Sequence, residues 1–421
     1  MIARPRVSVF TPSHNPQYLD ELYESLAAQT FKDFEWIALL NNGAQWKAPV
    51  KSGWVKVIHT STVPSVGALK REAVGWCRGE ILVEADHDDL LHEDCLKRVV
   101  ATFKDHPEVS LVYSDFAQIN ADGSPNHERF NPAMGWTYDE LNAGRACDDL
   151  KCNSMEPTPH NVCHIWYAPN HVRAFTRAAY DAAGGYNADL KVLDDQDLMA
   201  RLYQQGPFLR IPELLYFQRF HGANTQSDQE TNESIQFGTI AMYDQTIESC
   251  SLAWAKRRGL RAIDLGAAHG KPEGYEGIDR HGSDHVGDIF VVLATLDDSS
   301  VGVVRAHDFL EHVKDKVRLM NELYRVLTPG GMLLTHTPST DGRGAFQDPT
   351  HVSFWNENSF WYYTSPQHAR YIPEITCKFQ VSAMETVYPS DWHRKHGILY
   401  VNANLIAIKD GTPRNGGELH W

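Results

Sequence analysis

No long apolar run occurs in the 421 residues. No window approaches the roughly 18 to 20 apolar residues of a membrane span, and the opening MIARPRVSVFTPSHN lacks a stretch of signal-peptide length, so the expectation is a cytoplasmic protein with no membrane span. Cysteine is scarce: seven residues, an odd number, with no CxxC pair and no Cys/His metal spacing. That pattern argues against a disulfide framework or a structural zinc site and fits free thiols in a reducing compartment. Basic charge is also in deficit, since 39 Lys and Arg face 54 Asp and Glu for a net charge of -15. Such a balance gives no overall attraction to phosphate backbones or anionic lipid. Lys256-Arg257-Arg258 is the one compact basic run, and it reads as a solvated linker. Repeats and low-complexity tracts are absent.

What the sequence does contain is ordinary globular material. Hydrophobic residues make up 42% and charged residues 22%, with 17 Phe, 17 Tyr and 11 Trp, and the length suits two cores. RVSVFT at 6–11 reads as a buried strand ending in the turn-rich PSHNP, followed by helical spacing of Tyr18, Leu19, Leu22, Leu26 and Ala27. Strands at 35–40 and 54–58, a helix from Val66 to Trp76 and a strand at 80–85 complete the rhythm of a parallel α/β sheet, which binds ligands at the carboxyl ends of its strands. Residues 120–165 are loop-rich, as a substrate-facing insertion would be. Helical patterning returns at Arg173 to Ala183 and Asp195 to Gln205, each ended by glycine. A long helical pattern at 232–258 then leads into a new strand at 261–266. The expected division is therefore 1–231, a helical linker at 232–258, and 259–421.

The chemistry concentrates in VEADHDDLL, three carboxylates around His87 directly after a strand. Asp86 and Asp88 could hold one hard divalent cation that also grips a diphosphate. Asp89, before LLHEDCLKRVV, reads as a helix cap. A lone D-x-D is weak evidence, but three further motifs accompany it in order. VSVFTPSHN, VPSVGALKREAVGWCRGEILVEADHDDLL, GGYNADLKVLDDQDLMARLYQQG and QRFHGANTQ together resemble the inverting family 2 glycosyltransferases of the GT-A fold, over about residues 6–225.

That resemblance implies a GT-A nucleotide-sugar-binding domain that transfers a sugar, with inversion, from a nucleotide donor to a hydroxyl acceptor such as a growing glycan. It places Thr11, Pro12, Asn15, Asn41, Asn42, Gly67, Lys70, Asp86, His87 and Asp88 around the donor, and Asp86, Asp88 and His221 around Mn²⁺ or Mg²⁺. Asp195 would be the general base that takes the acceptor proton as attack proceeds, while the cation offsets charge on the leaving diphosphate. Asp194 and Asp197 read equally well as first-turn residues favoured by the helix dipole. The chain departs from the family at Asn41-Asn42-Gly43, where an aspartate commonly touches the base, so a UDP-sugar is only a default. His14, His87 and His92 read more readily as locally bonded loop histidines. Trp136, Tyr138, Trp166 and Tyr167 read as core at least as well as sugar platforms, and His160, His164 and His171 divide evenly between acceptor contact and packing.

In the second half, RAIDLGAAHGKPEGYEGIDRHGSDH has the strand, glycine turn and later acidic residue of a shortened nucleotide-binding unit. VVRAHDFLEHVKDKVRLMNELYRVLTPGGMLLTHTPS and AFQDPTHVSFW resemble class I S-adenosylmethionine-dependent methyltransferases over about 260–375. The resemblance implies a Rossmann-like fold in which Asp264, Gly266 and Gly270 form the cofactor loop, Asp279 binds the ribose and Asp288 lies near the adenine. Ala267-Ala268 stands where the family commonly has Cys-Gly, and only KPEGYEGI separates Gly270 from Asp279, leaving little room for the usual helix. His307, Asp308, Glu311 and His312 could carry a methyl-transfer base or serve as ordinary capping and packing residues. Two further readings stand beside the leading one: glycosylation of a hydroxylated DNA base, which the net charge disfavours, and a non-catalytic scaffold, above all for the second half.

Overall fold

The residues of VSVFTPS and FEWIALL are buried at all but one position, as those of strands covered on both faces are. They form β1 (Val7–Ser13) and β2 (Phe34–Leu40), which pair in parallel. The computed structural model describes residues 4–50, 53–61, 65–132, 135–141, 150–164, 169–222, 229–267, 270–409 and 411. It divides into two compact units, Met1–Ile247 and Glu248–Trp421, so the division falls inside the helix Gln229–Arg257, between the expected boundaries at 231 and 259.

In the first unit, β1 and β2 are joined by β3 (Val55–His59), β4 (Ile81–Glu84), β5 (Leu90–Leu91), β6 (Leu111–Asn120), β7 (Thr137–Glu140), β8 (Leu150–Asn153), β9 (Arg173–Thr176) and β10 (Phe208–Phe220). The spatial order is β3-β2-β1-β4-β9-β6-β10-β5, with β7 and β8 forming a hairpin against β6. β1 to β4 run parallel, as do β6 and β10, while β9 runs against both β4 and β6. The helix Leu19–Ala27 buries Leu19, Leu22 and Leu26 on the core that holds Val7, Trp36 and Val83. Ser65 caps the helix Val66–Trp76 by accepting from the Ala68 amide at 3.0 Å.

Two sequence expectations are corrected. Arg173 to Ala183 is not one helix: Arg173–Thr176 is β9, whose register beside β4 buries Arg173, Ala174 and Phe175, and only Arg177–Ala182 is helical, capped by Thr176. Asp89 does not cap the following helix, which begins at Cys95; its carboxylate accepts from the Arg219 amide at 2.7 Å. The loop-rich segment 120–165 contains the β7–β8 hairpin and a short helix, Pro159–His164.

The second unit is a doubly wound sheet of β11 (Arg261–Leu265), β12 (Glu276–Asp279), β13 (His285–Val286), β14 (Val301–His307), β15 (Leu327–Pro338), β16 (Phe379–Val387) and β17 (Tyr400–Ala407). Its order is β13-β12-β11-β14-β15-β17-β16, parallel except at β17, which pairs antiparallel with both β15 and β16. Strand order therefore reverses between β11 and β14, the switch point at which such sheets open a ligand crevice.

Gly67 lies where the helix Val66–Trp76 meets the 187–190 turn: a Cβ there would stand 1.9 Å from the Asn187 carbonyl oxygen. Gly67→Ala should cost about 1–3 kcal/mol or more in urea unfolding, by overpacking against backbone. Gly75→Ala in the same helix meets nothing within 4 Å and should gain about 0.5–1 kcal/mol.

Candidate functional sites

The acidic loop follows β4, and its geometry begins with Glu84, buried at the end of that strand. Lys70, reaching over from the helix Val66–Trp76, places its Nζ 2.6 Å from Glu84 Oε1 and 2.8 Å from Asp194 Oδ2. Tyr186 donates its hydroxyl to Glu84 Oε2 at 3.0 Å. Arg173 on β9 donates from Nη1 to Asp195 Oδ2 at 2.5 Å and lies 4.0 Å from Glu84. Burial opposes the charge on Lys70, but Asp194, Glu84, Asp195 and Asp86 hold its pKa well above the usual range. Burial pushes Asp194 up to about 6 against the pull of Lys70, with Asp195 and Glu84 adding to the rise. Burial acts on Asp195 as well, yet Arg173 and Lys70 outweigh it and keep this carboxyl below the ordinary carboxylate range. The two adjacent aspartates are thus shifted in opposite directions, and only Asp195 meets the guanidinium.

Beyond Ala85, Asp86 Oδ2 lies 3.3 Å from His171 Nε2, and the Asp86 amide donates to the Tyr216 hydroxyl at 3.2 Å. The His171 ring stacks on Tyr216, centroids 4.6 Å apart. Burial raises the Asp86 carboxyl, but His171, Lys70 and Arg173 more than reverse this and hold it low. Asp89, buried and beside Asp88 and Asp86, is pushed up. Asp88 Oδ2 lies 2.9 Å from His221 Nε2, and the His221 ring stacks on Tyr18. Arg219, fully buried at the end of β10, fixes the loop: it donates to the Asp88 carbonyl at 2.7 Å, to the carbonyls of Asn120 and Ala121, and to Glu21.

The expected metal set of Asp86, Asp88 and His221 is thus divided into two pairs, Asp86 with His171 and Asp88 with His221. Among the described residues, the donors in this loop that lie within 4.8 Å of one another are those of Asp86, Asp89 and His171. A buried His171 Nδ1 without a partner and three carboxylates in one loop suit a divalent cation. The cradle beside it also fits a nucleotide: at the carboxyl end of β2 the buried Asn41 side-chain oxygen accepts no hydrogen bond within the protein, and Asn42 and Gly43 turn away with positive φ.

Other expected contacts have internal duties. The Thr11 hydroxyl is buried and accepts from Trp36 Nε1 at 3.0 Å, Asn15 accepts from the Gln17 amide, and Pro12 is half-buried on β1. Gly67 permits the close helix approach described above. His87 meets His14 edge to face, and His92 accepts from the Asp94 amide. Trp136 packs on Phe116 and Phe130, the Tyr138 hydroxyl accepts from the Phe130 amide, and the buried His160 stacks on His164. Trp166 and Tyr167 lie outside the described residues. Arg173, Glu84, Tyr216 and Arg219 escaped sequence reasoning. Of these only Glu84, in the quoted VEADHDDLL, carried a visible signal, a charge closing an apolar strand.

In the second unit Gly266 follows β11 with φ +81°, and a Cβ there would meet the Phe309 ring at 3.2 Å. Gly270 has φ +137° and open space around its Cβ position. Asp279 ends β12, its carboxylate accepting from the His281 amide at 3.0 Å. This glycine cradle beside an acidic strand end fits a nucleoside cofactor. Two expected contacts are otherwise engaged: Asp264 accepts from Arg305 at 2.9 Å, and Asp288 caps the helix Ile289–Leu293 by accepting from the Phe290 amide. No helix stands between β11 and β12 among the described residues, as the short KPEGYEGI spacing requires. Ala268 lies outside them.

Replacing Lys70 by Met leaves Glu84 and Asp194 buried without their shared cation. Loss of one member of a buried ionic group costs about 3–5 kcal/mol, so urea unfolding of Lys70→Met should show a midpoint far below that of the parent. His307, held down to about 3 by burial, Arg305 and His336, generates a pH dependence. A depressed histidine stays neutral in the fold, so its contribution is complete above the unfolded value near 6.5 and falls away as pH drops below it. Between pH 7 and pH 5 the parent should lose about 1–2 kcal/mol that His307→Asn keeps.

Residues 8–166 match the family described as glycosyl transferase family 2, and residues 278–335 match a methyltransferase domain family. The second match begins on β12, downstream of the glycine turn. A chondroitin synthase of Escherichia coli is 24% identical over 234 residues, 52% of this chain and 30% of that protein. A hyaluronan synthase of Pasteurella multocida is 23% identical over 229 residues, 52% of this chain and 21% of that protein. The chain therefore spans less than a third of the length of these relatives. A solved structure of S. aureus TarS 1–349 in complex with UDP-GlcNAc aligns with 60% of this chain and 71% of its own, at 14% identity and a TM-score of 0.44. The first unit of this chain thus carries a glycosyl transferase family 2 domain, and the second a methyltransferase domain.

Proposed function

We propose that the first unit transfers a sugar from a nucleoside diphosphate donor to a hydroxyl of a glycan acceptor, with inversion at the anomeric carbon. The observation that carries the reading is Arg173, whose charge acts on Asp195 and Asp86 together and so sets an ionised carboxylate beside the acidic loop. Asp195 spends one lone pair on Arg173 and one on the Gln196 amide, and each oxygen keeps another for an acceptor proton. Asn41 and Asn15 would hold the base end of the donor, with a UDP-sugar as the first donor to test. Asp86, Asp88, Asp89 and the two histidines would hold a divalent cation, Mn²⁺ or Mg²⁺, which when bound neutralises the leaving diphosphate. The names of the relatives, synthases of chondroitin and hyaluronan, favour a glycan acceptor.

For the second unit we propose S-adenosylmethionine binding at Gly266, Gly270 and Asp279, with Asp264 serving the fold through Arg305. When bound, this cofactor would supply a sulfonium methyl group. Methylation of the product is the activity this reading assigns.

Asp195→Asn should lower sugar transfer about 10²- to 10⁴-fold, measured as nucleoside diphosphate release in the presence of glycan acceptors, while donor binding stays within twofold. An unchanged rate would remove Asp195 from the base role. In the second unit, Asp279→Ala should abolish the thermal stabilisation given by S-adenosylhomocysteine with little change in the unliganded melting temperature. Asp264→Asn should lower that temperature and keep the ligand shift. Equal ligand shifts in parent and Asp279→Ala would overturn this cofactor assignment.

A further inference from the structure

A second cluster stands at the carboxyl end of β14 and belongs to neither reading above. Residues 310–312 form a single 3₁₀ turn after the strand, and the loop 348–353 folds over it, with the amides of Val352 and Ser353 donating to the Glu311 carbonyl at 2.9 and 3.0 Å. Donor atoms of Glu311, His312 and His351 lie within 4.8 Å of one another. Three atoms at that spacing share a point no more than about 2.8 Å from each, so a contraction of roughly 0.6–0.8 Å per ligand reaches the 2.0–2.2 Å of metal–nitrogen and metal–oxygen bonds.

Three features point to a cation. Glu311 is 1% exposed, and its Oε2 accepts no hydrogen bond within the protein. A buried carboxylate left so is costly unless a cation meets it. The charged neighbours that act on it, Asp308 and Asp348, are themselves negative and offer it no counter-charge. The histidines are also arranged for metal: His351 Nδ1 lies 2.9 Å from the Ala345 carbonyl oxygen, and His312 Nδ1 lies 3.3 Å from that of Thr350. A carbonyl accepts only, so Nδ1 of His351 carries the proton and its Nε2 keeps its lone pair. His312 Nδ1 also lies 3.2 Å from the Thr350 hydroxyl, whose proton goes to Asp348, so the same tautomer follows there. Metal-bound histidines are held in their tautomer by this kind of outer hydrogen bond. His351 Nε2 faces Glu311 Oε1 at 4.0 Å.

We propose that Glu311, His312 and His351 bind a first-row divalent cation of the zinc or manganese class. Two imidazoles and one carboxylate suit such ions better than Mg²⁺ or Ca²⁺, which prefer oxygen alone. Three protein ligands leave at least one position open, the arrangement of catalytic sites and not of closed structural ones. His312 is exposed, so the open position is reachable from solvent, and the exposed, stacked rings of Phe346 and Phe354 flank the loop that carries His351. The fitting occupant is an oxygen of the molecule to be modified, a hydroxyl or carboxylate. Phe309, one residue before the turn, is the ring that a Cβ on Gly266 would touch, so this centre adjoins the glycine turn after β11.

The test uses untagged full-length protein stripped with EDTA, desalted and titrated with Zn²⁺ against a chromophoric chelator. In an Asp86→Ala background, which removes a ligand of the acidic loop, the protein should bind one tight equivalent that Glu311→Gln and His351→Ala, each added to it, bind at least 100-fold more weakly. Far-ultraviolet circular dichroism should show all three proteins folded, and the two ligand variants guard against a folding failure in either one. Co²⁺ in place of Zn²⁺ should give visible d–d absorption bands in the Asp86→Ala protein that are lost when Glu311→Gln is added. Equal affinity in the Asp86→Ala protein and both ligand variants, or no tight equivalent in the Asp86→Ala protein, would overturn the proposal. Neither result bears on sugar transfer, which is measured separately.

Discussion

The buried ionic group around Glu84 is the constraint on which the first site depends. Glu84 ends a central strand and cannot reach water, so Lys70 and Arg173 must come to it from a helix and from β9. Those two cations then have charge to spare for Asp194 and Asp195, and this fixes the start of the helix Asp194–Gln205 against the end of β4. Leu193, with φ +60°, is the turn through which the chain enters that helix. The acidic loop cannot be rearranged without disturbing the carboxylate offered as base. Buried charge here serves less to stabilise the fold than to register four elements at one point.

Negative charge remains in excess once these pairs are made. Arg219 neutralises Glu21 and ties down the Asp88 carbonyl and the Asp89 carboxylate, while Asp86 has His171 beside the shared cations and Asp88 has His221. Under the proposed reading such a site would attract a cation, and a cation in turn a diphosphate. The centre in the second unit follows the same logic with softer ligands and fewer charges. One buried carboxylate with two preset imidazoles favours a transition ion, where three loop carboxylates favour a harder one.

Legibility in the sequence tracked the range of the interaction. The helix Val66–Trp76 and strands β1 and β2 were readable because burial on one or both faces leaves a local pattern. β9 was not, because its four residues abut the helix Arg177–Ala182 and the two together mimic one helical period. Asp89 looked like a cap because its true partner, the Arg219 amide, lies 130 residues away in sequence. Asp264 likewise resembled a cofactor contact until the β11–β14 register set Arg305 beside it. Asp86, Asp88, Asp195 and His221 were nameable in advance only through four motifs in order. Their partners Arg173, His171 and Tyr216 enter through the sheet, which no spacing rule encodes.

The central claim is that surplus negative charge at the end of β4 is completed by a cation that brings the diphosphate with it. Calorimetric titration of UDP into metal-free protein, with and without Mn²⁺, tests this most directly in the parent and in Asp88→Ala. The account predicts binding at least 100-fold tighter with Mn²⁺ in the parent, about 2.7 kcal/mol, and loss of most of that gain in the variant. Equal UDP affinity with and without metal, unchanged in Asp88→Ala, would contradict it.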